Sequence, residues 1–191
     1  FWKQKIKIGV YDHDGRSSTG VGWRWVLGSI IQIYQYGKYS DGTEFENKSV
    51  NLYKTTIHEL AHVSHWDMGN PAYVMADDRL TESYAVGIAY VFSKKYYTDG
   101  QIPGGNWQNV TFEDMINFYE SKYTPLVIDL MDYFNQRTNY GSTDYPVDNV
   151  GGYNISQIEA AMKNQITLEG WRDNLKVKFD YPSENNLDEL F

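Results

Sequence analysis

Cysteine is absent from this chain of 191 residues, and histidine occurs only four times. Without cysteine the chain forms no disulfide bond, and any metal site must take its ligands from histidine, aspartate and glutamate. The net charge of −8 and the lack of a basic cluster argue against nucleic acid as a partner. No apolar run is long enough to cross a bilayer, so no transmembrane segment is predicted.

The length of the chain predicts one ordinary domain with a single core. The chain begins at Phe1 rather than at methionine, so we expect that a leader or propeptide was removed, or that a further domain lies upstream. A surface rich in Tyr, Asn, Gly and Trp is typical of exported proteins. The expected location is therefore secreted, cell-surface or periplasmic.

Two of the four histidines lie in the run His58-Glu59-Leu60-Ala61-His62, an H-E-x-x-H pattern. Residues four apart share one face of an α-helix, so both imidazoles can bind one metal ion. Glu59 follows the first histidine and can reach a water molecule at an open position of that metal. Two nitrogen ligands and a general base on one helix are typical of zinc metallopeptidases.

The stretch around this pattern, residues 49–66, is predicted to be an amphipathic helix. One stripe is apolar and includes Leu60, while another carries His58, His62 and His65. A helix with one apolar stripe, which can pack on a core, and another stripe that carries histidines can form the wall of a cleft. The alternative is a surface helix with scattered histidines.

A catalytic zinc site normally takes three ligands from the protein, so a third ligand is needed. Glu82 is the strongest candidate, because the almost entirely apolar residues 84–92 that follow predict a second, buried helix. A carboxylate beside such a helix is costly unless it is paired or bound to metal. Glu82 could instead favour the helix dipole, with Asp77 or Asp78 as fallback ligands. His65 is disfavoured, because three ligands on one straight helix converge poorly on one metal.

This arrangement resembles the gluzincin clan of zinc peptidases, which carry HExxH on one helix and a glutamate ligand on the next. Nineteen residues separate His62 from Glu82, an interval similar to that of the thermolysin family, and the resemblance covers about residues 30–92. Tyr73 falls where thermolysin-like enzymes have a tyrosine that helps to bind the transition-state oxyanion.

The chain also departs from thermolysin-like enzymes. Those enzymes have asparagine before the glutamate ligand and aspartate four residues after it, where this chain has Thr81 and Val86. Without that aspartate, the group that orients the first histidine is unassigned. No histidine follows His65, so the downstream histidine of those enzymes is missing as well. The resemblance therefore assigns the clan and no specific family.

The expected function is hydrolysis of peptide bonds in a peptide or protein substrate. The resemblance implies a Zn²⁺ ion held by His58, His62 and Glu82, with Glu59 as general base and Tyr73 as oxyanion donor. Tyr73 could alternatively anchor the link between the two helices by packing. The alternative function is a non-catalytic extracellular binding or scaffold domain that retains the fold and the zinc site. The missing downstream histidine favours that alternative, and the intact Glu59 argues against it.

The expected fold is α+β and zincin-like, with a small mixed sheet packed on the HExxH helix and on the glutamate-bearing helix. Residues 1–97 would form this part, and residues 98–191 would form a helical C-terminal subdomain of the same catalytic domain. Residues 30–34 are expected to form the upper rim of the cleft and to bind an extended substrate by strand addition.

Local signals predict further elements in the C-terminal half. The features expected there are a helix capped by Thr111, a helix opened by Thr124, a capping box at residues 156–159, a strand at residues 176–179 and a mobile tail after residue 182.

Overall fold

The chain combines a small sheet with a series of helices, which agrees with the predicted α+β class. The residues described by a computed structural model are 6–14, 18–19, 31–98, 124–143, 145, 147–180 and 184–191. The predicted helix at Thr111 and the first residue of the predicted rim strand, Ile30, lie outside these ranges.

The sheet is built around β3 (Ile31–Lys38). On one side β1 (Ile8–Asp14) runs parallel to it. The short strands β2 (Ser18–Thr19) and β4 (Glu44–Glu46) pair with β3 in the antiparallel sense. The described part of the sheet is therefore mixed, as the sequence predicts, with β3 between β1 and β2.

The start of β3 is paired on both sides. Ile31 and Gln32 are in register with β1 on one edge and with β2 on the other. The backbone hydrogen-bonding groups of a strand point to two edges only, so this part of β3 has no edge left for an extended substrate. The prediction of strand addition at residues 30–34 is therefore wrong for Ile31 and Gln32.

The longest helix, α1 (Ser49–Met75), carries the HExxH run and lies against the sheet. Its apolar side and β3 share a small core that consists of Ile31, Ile33, Val63, Leu52 and Leu60. The helix extends nine residues beyond the predicted stretch 49–66, but its backbone is not helical throughout. Gly69 has φ −164° and ψ 59°, which kinks the helix there. The last turn of α1 therefore points in a different direction from the turns that carry the histidines.

The second helix, α2 (Asp78–Tyr96), packs along α1. Asp77 caps it, because its carboxylate accepts a hydrogen bond from the backbone N–H of Arg79 at 2.8 Å. Residues 83–90 are all buried, so the prediction of a buried helix is confirmed. Glu82 lies at the beginning of this buried stretch, in the second turn of the helix.

The C-terminal half is helical, as predicted, within the described residues. Its elements are α3 (Leu126–Met131), α4 (Gln136–Tyr140), α5 (Ile155–Met162), α6 (Leu168–Lys178), a 3-10 turn (Glu184–Asn186) and α7 (Leu187–Leu190). Side chains of α1, α2, α3, α5, α6 and α7 form the largest apolar core of the described residues, in which the Trp171 ring is fully buried.

Three local predictions in this half are wrong. The capping box of α5 is formed by Asn154 and Gln157 rather than at residues 156 and 159. The predicted strand at residues 176–179 is the last turn of α6. The described part of the tail, residues 184–191, is packed rather than mobile, because the side chain of Leu187 is fully buried in the main core.

Close contacts hold α2 against the C-terminal half. A Cβ atom at Gly87 would lie only 2.2 Å from the side chain of Val127, so α2 and α3 approach as closely as they do because residue 87 is glycine. On α5, the carboxylate of Glu159 accepts a hydrogen bond from the hydroxyl of Tyr84 at 2.7 Å. The helix that carries Glu82 is therefore fixed from two sides.

A buried carboxyl group lies in the loop between α4 and α5. Asp148 is only 3 % exposed, and its Oδ1 accepts a hydrogen bond from the backbone N–H of Val150 at 3.2 Å. Its Oδ2 has no hydrogen-bond partner among the described residues. Burial, together with the negative charge of Asp132, raises the pKa of Asp148 to about 7.

We expect Asp148→Asn to stabilise the fold at neutral and alkaline pH but not in acid. Because the pKa of Asp148 is higher in the folded chain than the unfolded value of about 3.9, its contribution to stability is largest in acid. That contribution falls as the pH rises from about 4 to about 7, by at most about 4 kcal/mol. The amide of Asp148→Asn does not titrate in this range, so the variant lacks this dependence of stability on pH.

Thermal unfolding of both proteins between about pH 4 and about pH 8.5 measures the effect. The difference in Tm should grow up to about pH 7 and then stay constant. Asp173→Asn, at an exposed position, is the control. A difference for Asp148→Asn that does not change with pH would contradict the expectation.

Candidate metal centre

Two helices bring three potential metal ligands together. His58 and His62 lie one turn apart on α1, and Glu82 approaches them from α2. The Nε2 atom of His58 lies 3.1 Å from Oε2 of Glu82 and 3.2 Å from Nε2 of His62. The third distance, from Nε2 of His62 to Oε2 of Glu82, is 3.4 Å. These are the three side chains that the sequence analysis singled out.

The size of this triangle fits a zinc ion. Zinc–nitrogen and zinc–oxygen bonds are close to 2 Å, so two ligand atoms of a tetrahedral site lie about 3.3 Å apart. All three measured distances, 3.1, 3.2 and 3.4 Å, are near that value. Two imidazole nitrogens with one carboxylate oxygen are also a ligand set that zinc accepts. The group could therefore hold a metal ion without rearrangement of the helices.

The three side chains are largely but not fully buried. The exposed fractions are 17 % for His58, 9 % for His62 and 13 % for Glu82. Burial alone would raise the pKa of Glu82, but the hydrogen bonds that its carboxylate accepts from the two imidazoles hold that pKa well below its usual range. Glu82 is therefore ionised at neutral pH, which is the form that binds a metal ion.

Glu59 lies next to this triangle. It directly follows His58 on α1, and only 7 % of its surface is exposed. Its negative charge contributes to the raised pKa of Tyr73, as does the charge of Glu82. Both carboxylates are therefore close enough to Tyr73 to act on it electrostatically. A carboxylate at this place can accept a proton from a water molecule near the metal position.

Tyr73 lies in the last turn of α1, which follows the kink at Gly69. The centre of its ring is 4.9 Å from that of His65, 5.9 Å from that of Trp66 and 6.4 Å from that of His62. Burial, and then the nearby carboxylates, raise the pKa of Tyr73 to about 12. Its hydroxyl group therefore keeps its proton at neutral pH and can donate a hydrogen bond.

His65 lies outside the triangle. Its ring packs edge-on against Tyr73 and Tyr84, at 4.9 and 5.5 Å between ring centres. Burial, and to a lesser degree His62, lower the pKa of His65 to about 4, so the ring is neutral at pH 7. The fallback ligands are not in the triangle either: Asp77 caps α2, and Asp78 is exposed.

The position four residues after Glu82 supplies no polar partner to the site. Val86 is buried in an apolar cluster with Val50 and Ile128. Among the described residues, Nδ1 of His62 has no hydrogen-bond partner. A metal-bound histidine usually donates its second ring N–H to an acceptor, so this centre lacks one common means of orienting a ligand.

Sequence reasoning missed the kink that places Tyr73. The run Met68-Gly69-Asn70-Pro71 carried the signal, since Gly-Asn-Pro combinations interrupt helices. Nothing in the sequence indicated that Gly69 lies against Asn164, which follows α5, because the two residues are far apart along the chain.

None of the described helices combines the length and the apolar character that crossing a bilayer requires. Comparison of the chain with protein-family models, with curated proteins and with solved structures finds no match. The chemistry of the centre is therefore inferred from its own side chains.

Proposed function

We propose that the chain is a zinc-dependent peptidase of gluzincin type, which hydrolyses peptide bonds in a peptide or protein substrate. The observation that carries the proposal is the triangle of His58, His62 and Glu82, with 3.1, 3.2 and 3.4 Å between its ligand atoms. Three protein ligands leave a fourth position for water or substrate, as in catalytic zinc sites. A Zn²⁺ ion bound there polarises a substrate carbonyl and lowers the pKa of a water molecule.

Glu59 acts as the general base in this proposal. Its carboxylate accepts a proton from the attacking water while the water oxygen bonds to the carbonyl carbon of the substrate. The same carboxyl group then delivers the proton to the amide nitrogen, and the C–N bond breaks to release an amine and a carboxylate. Glu59 directly follows His58 and is only 7 % exposed, and both facts support this role. A largely buried carboxylate is shielded from bulk water, so few other water molecules compete for it.

Tyr73 stabilises the charge that develops on the former carbonyl oxygen. Its protonated hydroxyl is a hydrogen-bond donor, and its ring stands edge-on to the imidazoles of His65 and His62, with 4.9 and 6.4 Å between ring centres. A fixed donor that meets an oxyanion in a water-poor site contributes on the order of 3 kcal/mol to catalysis. The role is assigned to Tyr73 because no histidine follows His65 in the chain.

The proposal extends to the arrangement of the whole chain. Residues 1–97 form the zincin-like part with both ligand-bearing helices, and residues 98–191 form the helical part that completes the cleft. A peptidase with this composition acts outside the cytoplasm, as a secreted, cell-surface or periplasmic protein.

Hydrolysis of a peptide library by the purified protein, with and without a metal chelator, tests the proposal. Chelator-sensitive cleavage that zinc restores is the expected result. A protein that binds zinc but cleaves nothing would instead support a binding or scaffold domain that retains the metal site.

Zinc binding depends on the third ligand. We expect about one zinc ion per chain, and Glu82→Gln should weaken zinc binding by at least about tenfold, because an amide oxygen carries no charge to offset that of the ion. Elemental analysis after dialysis against a zinc buffer measures the occupancy. The matched controls Asp77→Asn and Asp78→Asn should keep the metal. Loss of zinc in a control, with retention in Glu82→Gln, would overturn the ligand assignment.

Glu59→Gln should abolish hydrolysis and leave the zinc in place. The amide cannot accept a proton from water, so the rate should fall by roughly 10²- to 10⁴-fold. Activity and metal content are measured on the same preparation, with the exposed Glu189→Gln as a control. If zinc disappears together with activity, Glu59 is a ligand or a structural residue rather than a base.

Tyr73→Phe should lower kcat by roughly a hundredfold and change KM much less, because the hydroxyl is needed mainly in the transition state. Zinc content should be unchanged. Tyr84→Phe is the control: it also removes a hydroxyl from a largely buried ring, but that hydroxyl bonds to Glu159. The control should lose stability, because α2 loses its hydrogen bond to α5, but it should lower kcat much less than Tyr73→Phe does. If Tyr73→Phe and Tyr84→Phe lowered kcat equally, Tyr73 would not be the oxyanion donor.

A further inference from the structure

Residues 164–166, which link α5 to α6, touch both ends of the segment that carries Tyr73. At one end Gly69 lies against Asn164, and at the other the backbone N–H of Asp77 donates a hydrogen bond to the carbonyl of Ile166 at 2.9 Å. The segment between these two contacts contains Tyr73 and the end of α1.

The contact at Gly69 leaves little room for a side chain, so Asn164 would have to move if one were present. A Cβ atom there would lie 2.9 Å from Oδ1 of Asn164 and 3.2 Å from its backbone nitrogen. The φ angle of Gly69, −164°, is one that any residue adopts, so backbone strain does not require glycine at this position. The close approach of Asn164 is what restricts the space for a side chain at this position.

Asn164 occupies a fixed position of its own. It follows α5 with a φ of 64°, the left-handed conformation in which helices often end and which asparagine tolerates better than most residues. The next residue, Gln165, donates a backbone hydrogen bond to Met162 at 2.9 Å, which ties the link to the end of α5. Met162 itself is fully buried in the main core.

The contact at Asp77 is close in sequence to the third candidate ligand, Glu82. Asp77 caps α2, and Glu82 follows five residues later. The carbonyl of Ile166 therefore holds the residue at which the helix of the third ligand begins. In this way the link contacts the starts of two segments, one that carries Tyr73 and one that carries Glu82.

A helical segment as short as residues 70–75 has little stability of its own, so contacts at its ends decide its direction. We propose that residues 164–166 position the ring of Tyr73 beside His62 of the metal centre, with Asn164 as a positioning residue that acts through Gly69. This inference rests on the proposed function, in which Tyr73 is the oxyanion donor. It assigns a function in the site to a link that carries no catalytic group.

The proposal is tested with Gly69→Ala, Asn164→Gly and the double variant. The alanine methyl group pushes Asn164 away, so kcat should fall by roughly ten- to a hundredfold, because small displacements of a catalytic group are costly. KM and zinc content should change little. Asn164→Gly keeps the left-handed backbone and removes the atom that the methyl group would meet first, so the double variant should recover most of the lost kcat.

A double-mutant cycle separates positioning from general damage. In a Tyr73→Phe background, Gly69→Ala should lower kcat no further, since the hydroxyl that it displaces is already absent. Gly141→Ala is the matched control. It places a methyl group in open space at a φ of 67°, so it strains the backbone far from these contacts and should not alter kcat beyond its effect on stability.

A second measurement does not depend on activity. The chain has four histidines, so the ring protons of His65 can be resolved by NMR after isotope labelling of histidine. The ring of Tyr73 stands edge-on to His65 at 4.9 Å, and its ring current shifts those signals. Gly69→Ala should move the His65 signals, the double variant should return them, and the signals of His13 on β1 should stay unchanged.

The outcomes distinguish this proposal from the proposed function. If the wild type hydrolyses no peptide, the enzymatic proposal fails, and the His65 signals still decide whether the link positions Tyr73. If Gly69→Ala is folded and leaves the His65 signals in place, or if the double variant restores nothing, the positioning proposal is overturned. If Gly69→Ala does not fold, Asn164→Gly alone must shift the His65 signals, and unchanged signals overturn the proposal as well.

Discussion

The contact between an ionised glutamate and two imidazoles, at the place where α1 meets α2, is the constraint on which the rest of the structure depends. Glu82 is 13 % exposed, and its carboxylate would be costly there without partners. His58 and His62 lie within 3.1 and 3.4 Å of it, so the cost of burial is offset. This contact exists only if the two helices pack at a fixed distance and rotation.

Apolar packing holds the two helices at this distance and rotation. On one side of α1 a small core joins the helix to β3, and on the other side α1 and α2 contribute to the main core with the C-terminal helices. Gly87 lets α3 approach α2 closely, and Tyr84 ties α2 to α5 through Glu159. The polar triangle therefore lies between two apolar regions that resist relative movement of its helices.

The described part of the C-terminal half contacts the segments on either side of the metal centre, although none of the three candidate ligands comes from it. Its link at residues 164–166 contacts the chain on both sides of Tyr73, and Trp171 and Leu187 anchor the following segments in the core. The acidic tail is fixed because its leucines are apolar anchors, a feature that its charged composition conceals. Likewise, the alternating pattern at residues 176–179 favours a strand locally, but the helix that begins after Thr167 continues through Lys178.

The sequence by itself determined the features that depend on short spacing. The separation of four positions between His58 and His62 places both rings on one helical face, and a carboxylate before an apolar run predicted a largely buried Glu82 on a second helix. Only the tertiary structure decided what depends on distant contacts. The pairing of Ile31 and Gln32 on both edges of β3 removed the predicted substrate edge at these two residues, and Asn164 closely approaches Gly69 at the kink that precedes Tyr73. Such contacts join residues far apart in the chain, and local periodicity and capping signals carry no information about them.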